Sequence, residues 1–348
     1  MPNALIYGSY GYTGRLIASL ADDYDIRPVL AGRDRNAVAQ QAQRLGFAYR
    51  SFPLDDPAAI DEGLRDINVV LHCAGPFTHT SKPMVDACIR RRVHYLDITG
   101  EIEVIEALAA RDGEARAAGV MLMPGTGFDV VPSDCLALHL KEQVPQAKRL
   151  MLGIRGTGPL SHGTATTMVE HRARGGIVRR DGKLVPVPTA WRTRSIDFGD
   201  GKLRTAITIP WGDIATAYRS TGIPDIEVYA AVPRVTRYVA VASRYAGWLL
   251  ATSLVKNLLK RRIDARPAGP NEAELKHGAS FVWGRVEDDE GNVAEARVRG
   301  PNGYALTAYS ALLVLQRVLA GQFATGFQTP AKQYGSNFIL EVPGAAFN

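Results

Sequence analysis

The sequence predicts an α/β protein with a Rossmann-type, doubly wound parallel sheet and a second α+β domain built on an antiparallel sheet. Up to about residue 140, apolar strand patterns alternate with amphipathic helical patterns, as in parallel sheets covered on both faces. From about residue 149, strand patterns follow one another across loops, which is typical of antiparallel pairing. We therefore expect a dinucleotide-binding domain at 1–140, completed by the C-terminal helix and tail at about 304–348, and a substrate or dimerisation domain at 141–303.

The first strand pattern runs through a glycine-rich loop directly into a helical pattern. Glycines recur every three residues in this loop, and a strand, glycine loop and helix N-terminus together hold a pyrophosphate. The spacing differs from the GxGxxG of simple dehydrogenases, so the alternative is a glycine-rich turn without a ligand, which the position after the first strand disfavours. The loop's predicted cofactor-binding residues are Gly8, Ser9, Tyr10, Gly11, Tyr12, Thr13 and Gly14.

The end of the second predicted strand, at 27–31, bears on the choice of dinucleotide. Gly32 and Arg33 follow it, and Arg33 stands where an NAD enzyme carries a carboxylate for the ribose 2′-hydroxyl. A guanidinium group suits a 2′-phosphate, because its planar fork donates two parallel hydrogen bonds. The neighbouring Asp34 leaves NAD open, and Arg33 as a plain surface residue is a further alternative. We expect NADPH to be favoured over NADH.

Further predicted cofactor contacts follow the third and fourth strands. Asp55 is placed either to accept a hydrogen bond from the adenine amine or to cap the next helix. The fourth strand ends in Ala74, Gly75 and Pro76, a tight turn expected to shape the backbone around the nicotinamide ribose. His72, just before this turn, is expected to be a hydrogen-bonded core residue. The other elements predicted in this half are helices at 36–45, from 56–57, at 83–91 and at 102–118, and strands at 47–52, 67–73, 93–97 and 120–123.

A polar, glycine-rich loop follows the sixth predicted strand. Asp129 and Ser133 lie in it, at the edge of the sheet where ligands bind, and are candidate catalytic residues. For Ser133 the alternative is a cap of the following helix.

The second half is predicted to hold strands and two helices. A helical pattern at 238–259 places apolar residues along one face and is followed by the basic run Lys256, Lys260, Arg261 and Arg262. It is too interrupted to span a bilayer, so it either packs on protein, which we favour, or lies at a membrane surface. The remaining elements are strands at 150–154, 203–209, 226–232, 280–286 and 293–298, and a last helix at 304–319 capped by Gly321.

Composition is that of an ordinary globular protein, with 46% hydrophobic residues and a net charge of +6. The cysteines Cys73, Cys88 and Cys135 show no CxxC spacing, so we expect reduced core thiols, no metal site and a cytoplasmic location without a signal peptide. Basic clusters at 172–183 and 256–266 suit phosphorylated cofactors, acidic carrier proteins or anionic lipid heads, but solvated surface is the commoner explanation. No nucleic-acid motif is present in the sequence.

Several of these motifs together resemble one family. The residues that carry the resemblance are Gly8 to Arg15 (GSYGYTGR), Ala31-Gly32-Arg33, Gly75-Pro76-Phe77, Tyr95 to Glu101 (YLDITGE), Gly127-Phe128-Asp129 with Pro132-Ser133-Asp134, and Thr329-Pro330-Ala331. The chain resembles the saccharopine dehydrogenase-like oxidoreductases, and is most similar to their trans-acting enoyl reductase branch. Where related chains would carry a Gly-Gly-Thr turn, this one has Ser161-His162-Gly163-Thr164, so His162 is either a third candidate proton donor or a substituted loop residue.

The resemblance implies an NADPH-dependent reductase of lipid metabolism that acts on an activated C=C bond of an acyl thioester or related enone. The substrate would be a small molecule or an acyl thioester, either free or on a carrier protein, and a homodimer or a peripheral membrane contact would be compatible with it. Two alternatives stay open. One is a saccharopine-type or imine reductase that acts on C=N and holds carboxylates with Arg155, Arg172 or Arg174. The other is a non-enzymatic NADP-binding or lipid-associated protein.

Overall fold

The computed structural model describes residues 3–157, 161, 175–233, 235, 237–238 and 269–348. It divides into two compact units, Met1–Val131 with Tyr304–Tyr334, and Pro132–Gly303 with Gly335–Asn348. The division therefore falls at 131/132 and not at 140, and residues 335–348 belong to the second unit. The last residues lie there because the short strand at 346–347 pairs with a strand of the second sheet.

The first unit holds a sheet of seven strands, all paired in parallel. The strands are β1 Ala4–Tyr7, β2 Val29–Gly32, β3 Tyr49–Ser51, β4 Val69–His72, β5 His94–Asp97, β6 Met121–Met123 and β15 Gly326–Phe327, numbered in chain order. Their spatial order is β15-β6-β5-β4-β1-β2-β3, so the sheet winds in opposite directions from β1 and places a switch point between β1 and β4. The predicted Rossmann-type sheet is confirmed. Sequence patterns missed β15 because two residues show no periodicity.

The helices of the first unit follow the predicted alternation with two differences. They are α1 Tyr12–Ser19, α2 Arg35–Leu45, α3 Pro57–Gly63, α4 Phe77–Arg91, α5 Ile102–Ala109, α6 Asp112–Ala118, most of α10 Gly303–Leu319, and α11 Pro330–Tyr334. Helix α4 starts six residues before Pro83, because the carboxylate of Glu101 accepts its first N–H groups. The helix predicted at 102–118 is two helices, with the break beside the weak helix formers Asp112 and Gly113.

The second unit is built on a nine-stranded mixed sheet. Its strands are β7 Arg149–Gly156, β8 Gly176–Arg180, β9 Lys183–Val187, β10 Thr193–Asp197, β11 Leu203–Thr208, β12 Asp225–Ala231, β13 Ala279–Glu287, β14 Val293–Pro301 and β16 Ala346–Phe347. The prediction of a purely antiparallel sheet was wrong in one pair, since β12 runs parallel to β7. A parallel neighbour needs a long crossover, and helix α8 Asp213–Thr221, which the sequence analysis missed, lies in the connection just before β12.

Two further helices of the second unit flank its sheet strands in the sequence, α7 Val131–Gln143 and α9 Glu272–His277. Leu136 and Leu140 of α7 pack on β13 at Gly284, where a larger residue would collide with them. Helix α7 therefore packs on one face of the sheet at β13.

The helix predicted at 238–259 and the basic run after it lie outside the described residues. Among the residues that are described, no helix is long and apolar enough to cross a membrane. The last long helix is observed close to its predicted span, and Gly321 beyond it has the left-handed φ of +78°.

Candidate functional site

The loop between β1 and α1 is folded so tightly that its glycines cannot be replaced freely. Gly8 has a φ of +78°, and a Cβ there would lie 2.8 Å from Ala74, at the end of β4. At Gly14 a Cβ would collide with the Gly8 carbonyl oxygen. At Gly11 it would meet only that same oxygen, at 3.2 Å. Gly11 is the N-cap of α1 and no side chain caps the helix there, so the helix N-terminus at this glycine suits an anionic ligand.

Polar and aromatic side chains fix this loop from several sides. Ser9 is fully buried; its carbonyl oxygen accepts a hydrogen bond from Nε2 of Gln41 at 2.9 Å, and its hydroxyl has no partner among the described residues. The Tyr10 ring occupies the space that a side chain at Gly32 would need. Tyr12 packs edge-on against Tyr304, with the ring centroids 5.2 Å apart. Thr13 is the second residue of α1.

The ends of β1, β2 and β3 gather the residues predicted to contact the adenosine half. The Tyr7 hydroxyl donates to the Phe52 carbonyl oxygen at 2.9 Å. Burial foremost, and the neighbouring Tyr10 and Asp55, raise the pKa of Tyr7, while the charge of Arg33 acts in the opposite direction. Tyr10, Arg33 and Asp55 therefore all lie close to one hydroxyl group.

The two acidic neighbours of these residues are occupied as helix caps. Asp34 accepts a hydrogen bond from the Ala37 N–H at 3.1 Å and so caps α2. Asp56 caps α3, and Asp55 is exposed beside it. The helix cap that was an alternative role for Asp55 is therefore made by Asp56. Arg33 is likewise exposed.

The turn after β4 is held from both ends. The Gly75–Pro76 peptide bond is cis. Beyond it, the Glu101 carboxylate accepts from the N–H groups of Phe77 and Thr78, each at 2.8 Å, and from the Thr78 hydroxyl. At the other end, the Thr80 hydroxyl donates to the Ala74 carbonyl oxygen at 2.6 Å. Sequence analysis missed this role of Glu101; the uncapped N–H groups after a Gly-Pro turn were the available signal.

His72 is a core residue, as predicted, but its two imidazole nitrogens have no hydrogen-bond partner among the described residues. The rings of Tyr7, Phe77 and Tyr95 surround it at centroid distances of 5.5, 5.5 and 6.1 Å. Burial lowers the pKa of His72 to about 3. The imidazole is therefore neutral at physiological pH and supports packing.

Three carboxyl groups lie at the carboxyl ends of β5 and β6, and two of them have structural partners. Asp97 accepts from the Tyr95 hydroxyl and from the N–H groups of Thr99 and Gly125, each at 2.9 Å. It thereby ties the loops after β5 and β6 together. Burial raises the pKa of Asp97 to about 7, although these hydrogen bonds oppose the shift. Glu101, the second carboxylate, holds the turn before α4.

Asp129 is the third carboxyl group, and its environment favours the protonated form. It lies against Gly100, where a Cβ would be 2.8 Å from the Asp129 Oδ2. Burial and, to a smaller extent, the charge of Glu101 raise the pKa of Asp129 to about 7. Near neutral pH this half-buried carboxyl group can therefore give or take a proton.

The other two candidate catalytic residues, Ser133 and His162, lie outside the first unit or outside the described residues. Ser133 is fully buried, is the third residue of α7 and belongs to the second unit. His162 lies outside the described residues.

Several basic residues of the second unit have structural roles. Arg155 forms an ion pair with Asp200 at 3.1 Å. Arg172 and Arg174, the other arginines considered for substrate carboxylates, lie outside the described residues. The expectation of solvated surface at 172–183 was wrong for Arg179, which is buried and donates to two carbonyl oxygens at 2.7 Å.

The three cysteines carry free thiols, and two of them, Cys88 and Cys135, are buried as predicted. Cys73 is half-buried. In the part of the chain that the structure describes, no group of three or more His, Cys, Asp or Glu side chains is arranged to hold a metal ion.

A parallel sheet with a switch point, a glycine-cradled helix N-terminus and a fixed Gly-Pro turn are typical of a dinucleotide-binding domain. Residues 4–123 match the family model described as the saccharopine dehydrogenase NADP-binding domain. That stretch of the chain is therefore similar to saccharopine dehydrogenase-type NADP-binding domains.

Curated relatives carry two names. The saccharopine dehydrogenase-like oxidoreductase of Rattus norvegicus is 29% identical over 160 residues, which cover 40% of this chain and 37% of the relative. The trans-acting enoyl reductase of Mycobacterium ulcerans is 31% identical over 144 residues, covering 39% of this chain and 34% of the relative. The matched part thus spans little more than a third of the length of each relative.

Two solved structures share the fold over nearly the whole chain. Saccharopine dehydrogenase (L-Glu forming) from Saccharomyces cerevisiae has a TM-score of 0.67 at 14% identity, covering 98% of this chain and 96% of that one. Homospermidine synthase from Legionella pneumophila, solved with NAD, has a TM-score of 0.66 at 9% identity, and the match covers 100% of this chain and 91% of that one. Both units therefore have the saccharopine dehydrogenase-like fold.

Proposed function

We propose that the protein is an NADPH-dependent reductase of an activated C=C bond in an acyl thioester or related enone. When bound, NADPH would supply the hydride. The observation that carries the proposal is Asp129, a carboxyl group with a raised pKa in the same unit as the dinucleotide cradle. The cradle accounts for cofactor binding, and Asp129 accounts for the proton that the second carbon of the reduced bond must receive.

The residues of the cradle fit a dinucleotide. Gly11 leaves a space that a side chain would fill, and the helix N-terminus behind it favours an anion. The Ser9 hydroxyl is a buried polar group without a partner among the described residues, which suits a donor reserved for a phosphate oxygen. The predicted contacts in this cradle are Gly8, Ser9, Tyr10, Gly11, Tyr12, Thr13 and Gly14.

The caps at the ends of β2 and β3 support a preference for NADPH. Asp34 is the neighbouring carboxylate that leaves NAD open, but it already caps α2 by accepting a hydrogen bond from the Ala37 N–H. Arg33 is exposed beside it and can approach a 2′-phosphate. Asp55, Ala74, Gly75 and Pro76 complete the proposed cofactor contacts along the same edge of the sheet.

Asp129 suits the donor role through its pKa. Below about pH 7 the carboxyl group is protonated in most molecules, so it can protonate the α-carbon while the β-carbon receives the hydride. The remaining carboxylate is then reprotonated from water. Glu101 raises the pKa of Asp129 through its charge while it holds the Gly75–Pro76 turn, so one side chain affects both the turn and the donor.

The relatives named trans-acting enoyl reductases support C=C as the target. Reduction of a C=N bond is the second candidate, favoured by the fold shared with a saccharopine dehydrogenase. Against it, Arg155 is paired with Asp200 and is not left for a substrate carboxylate. Acyl-carrier binding, a homodimer, peripheral membrane contact and a cytoplasmic location remain predictions, as do catalytic roles for Ser133 and His162.

Turnover with a substrate panel tests the proposal. Purified protein is incubated with NADPH and crotonyl-type thioesters, with cyclic imines, or with amino acid and keto acid pairs, and NADPH oxidation is followed by absorbance. We expect oxidation with the thioesters, and a loss of about 10²- to 10⁴-fold in kcat in Asp129→Asn. NADPH oxidation only with imines or with the amino acid and keto acid pairs would show that the protein reduces C=N bonds instead. No turnover with any substrate class would favour a non-enzymatic NADP-binding protein.

A further inference from the structure

The sheet of the second unit is rolled, and one end of the roll is open. Ile196 and Phe198, in and just after β10, lie over Gly153 of β7, although two strands separate β10 from β7. Neighbouring strands are about 4.8 Å apart, so side chains of β10 reach β7 only because the sheet curls. Arg297 of β14 closes the roll by donating to the Asp197 carbonyl oxygen at 2.9 Å.

A cleft of 390 Å³ opens at the end of this roll where β7 and β12 begin. Its volume is within the range of about 300 to 1,000 Å³ that is typical of small-ligand sites, and mouths of rolled sheets are common places for them. The residues that line it are Arg149, Leu150, Met151, Arg180, Arg192, Arg194, Asp225, Glu227 and Glu287. We call this set the arginine cleft.

One buried carboxylate arranges the arginines of the cleft. Glu227 is only 4% exposed, and its Oε1 accepts from both Arg180 and Arg192, the latter at 2.7 Å. Its other oxygen accepts from the Tyr229 hydroxyl. Both guanidinium groups also lie over the Trp191 ring, at 5.5 and 4.3 Å from its centroid. These contacts orient both guanidinium groups before any ligand arrives.

Arg194 adds a third guanidinium group on the aromatic floor of the cleft. It lies 6.0 Å from the ring centroid of Tyr229 and 5.9 Å from that of Trp283, both of which are buried. Its cross-strand partner in β11 is Ala206, whose small side chain leaves room beside the Arg194 side chain. Arg192 and Arg194 are two positions apart along the chain, so both project on the same side of the sheet.

The charges of the lining leave a positive surplus beside Arg194. Four arginines face three carboxylates in the cleft. Arg149 and Glu287 offset each other as an ion pair at 3.2 Å, and Asp225 accepts the N–H of Asp181. Arg180, Arg192 and Arg194 then face the charges of Glu227 and Asp225, which leaves one positive charge in surplus. A cleft with fixed arginine forks and surplus positive charge is suited to a small anion.

We propose that the arginine cleft is a binding site for a phosphate group, separate from the dinucleotide cradle. Two guanidinium forks held by Trp191 and a third over Tyr229 and Trp283 offer donors from several directions, which matches a tetrahedral dianion better than a planar carboxylate. A free phosphate ion and a phosphate monoester on a larger molecule share this chemistry. The proposal rests on the second unit alone and is independent of the proposed reductase activity.

Calorimetric titration with inorganic phosphate tests the site. The full-length protein is first saturated with NADPH, so that the cradle is filled, and ionic strength is held constant. We expect saturable binding that weakens about 10- to 100-fold in Arg194→Gln and in Arg192→Gln, the loss of a charged hydrogen bond. Arg194→Lys, which keeps the charge but loses the fork, should fall in between. The control is Arg299→Gln, which removes an exposed arginine of β14 outside the cleft and should bind as the wild type does.

Circular dichroism and thermal melting verify that each variant is folded. If Arg194→Gln does not fold, Arg194→Lys replaces it in the comparison. Glycerol 3-phosphate in place of phosphate separates the two sources, because a site for monoesters binds it at least as tightly as the free ion. Absence of saturable binding, equal weakening in Arg299→Gln, or tighter binding of succinate than of phosphate would overturn the proposal. So would a change of molar mass in light scattering with Arg194→Gln and no phosphate binding, because the cleft would then contact a second copy.

Discussion

Replacing Asp129 by asparagine removes a carboxyl group whose protonated form the fold prefers. The pKa of Asp129 rises from 3.8 to about 7 on folding, because of burial and of the charge of Glu101. Between those two pH values the folded chain keeps a proton that the unfolded chain has released. The free energy of unfolding of the wild type therefore falls as pH rises from about 4 to about 7.

The size of the effect follows from the shift. About three pKa units correspond to about 4 kcal/mol at pH 8, as an upper limit, since each unit is worth about 1.4 kcal/mol. Asp129 is only half-buried, so solvent screens its charge and we expect about 1 to 3 kcal/mol. Asparagine has nearly the same shape and does not titrate. The variant should thus be more stable than the wild type at pH 8, and the difference should shrink towards pH 4.

Urea unfolding of both proteins at several pH values between 5 and 8 measures this difference. The shift of Asp97, which also titrates near pH 7, is present in both proteins and cancels in the comparison. The same variant should lose reductase activity, so stability and activity change in opposite directions. A variant that is less stable than the wild type at pH 8, or whose stability shows the same pH slope, would refute the raised pKa of Asp129.

Three other substitutions test separate parts of the account. Arg33→Ala should weaken NADPH binding by about 10- to 100-fold and leave NADH binding nearly unchanged, as measured by fluorescence titration; an equal loss for both would remove the 2′-phosphate contact. Gly11→Ala should still fold, because its Cβ meets only the Gly8 oxygen at 3.2 Å, but it should lose NADPH affinity. Gly14→Ala should lower the melting temperature, because its Cβ collides with the Gly8 oxygen. A destabilised Gly11→Ala or a Gly14→Ala with an unchanged melting temperature would contradict the cradle. Glu101→Gln should lower the pKa of Asp129, so the alkaline limb of the pH profile of kcat should move to lower pH. It should also raise KM for NADPH, because the turn before α4 loosens. An unmoved pH profile would show that Glu101 does not set the pKa of the proton donor.

Much of the first unit was predictable, because its signals are local. Strand and helix patterns gave the parallel sheet, and the glycine spacing gave the loop at Gly8, Gly11 and Gly14. The start of α4 was not predictable from its own residues, since Pro83 points to a later start and the acceptor, Glu101, is 24 residues away from Phe77. The same holds for β15, which is a strand only because β6 lies beside it.

The second unit was less accessible to sequence patterns. Its parallel pair, β7 with β12, brings together residues such as Arg149 and Asp225 that are far apart in the chain. Arg180 belongs to a cluster that the sequence predicts as solvated surface, and only the rolled sheet shows that it meets Glu227 together with Arg192. Contacts that depend on long-range register leave no periodicity for a sequence to display.

Transfer of deuterium from NADPH deuterated at the nicotinamide C4 position tests the central claim most directly. The protein is incubated with this cofactor and a crotonyl thioester in ordinary water, and the product is analysed by mass spectrometry and NMR. The account predicts one deuterium at the β-carbon and a solvent-derived proton at the α-carbon, with product formation strongly reduced in Asp129→Asn. Deuterium that is absent from the product, or that appears only when an imine is supplied, would contradict it.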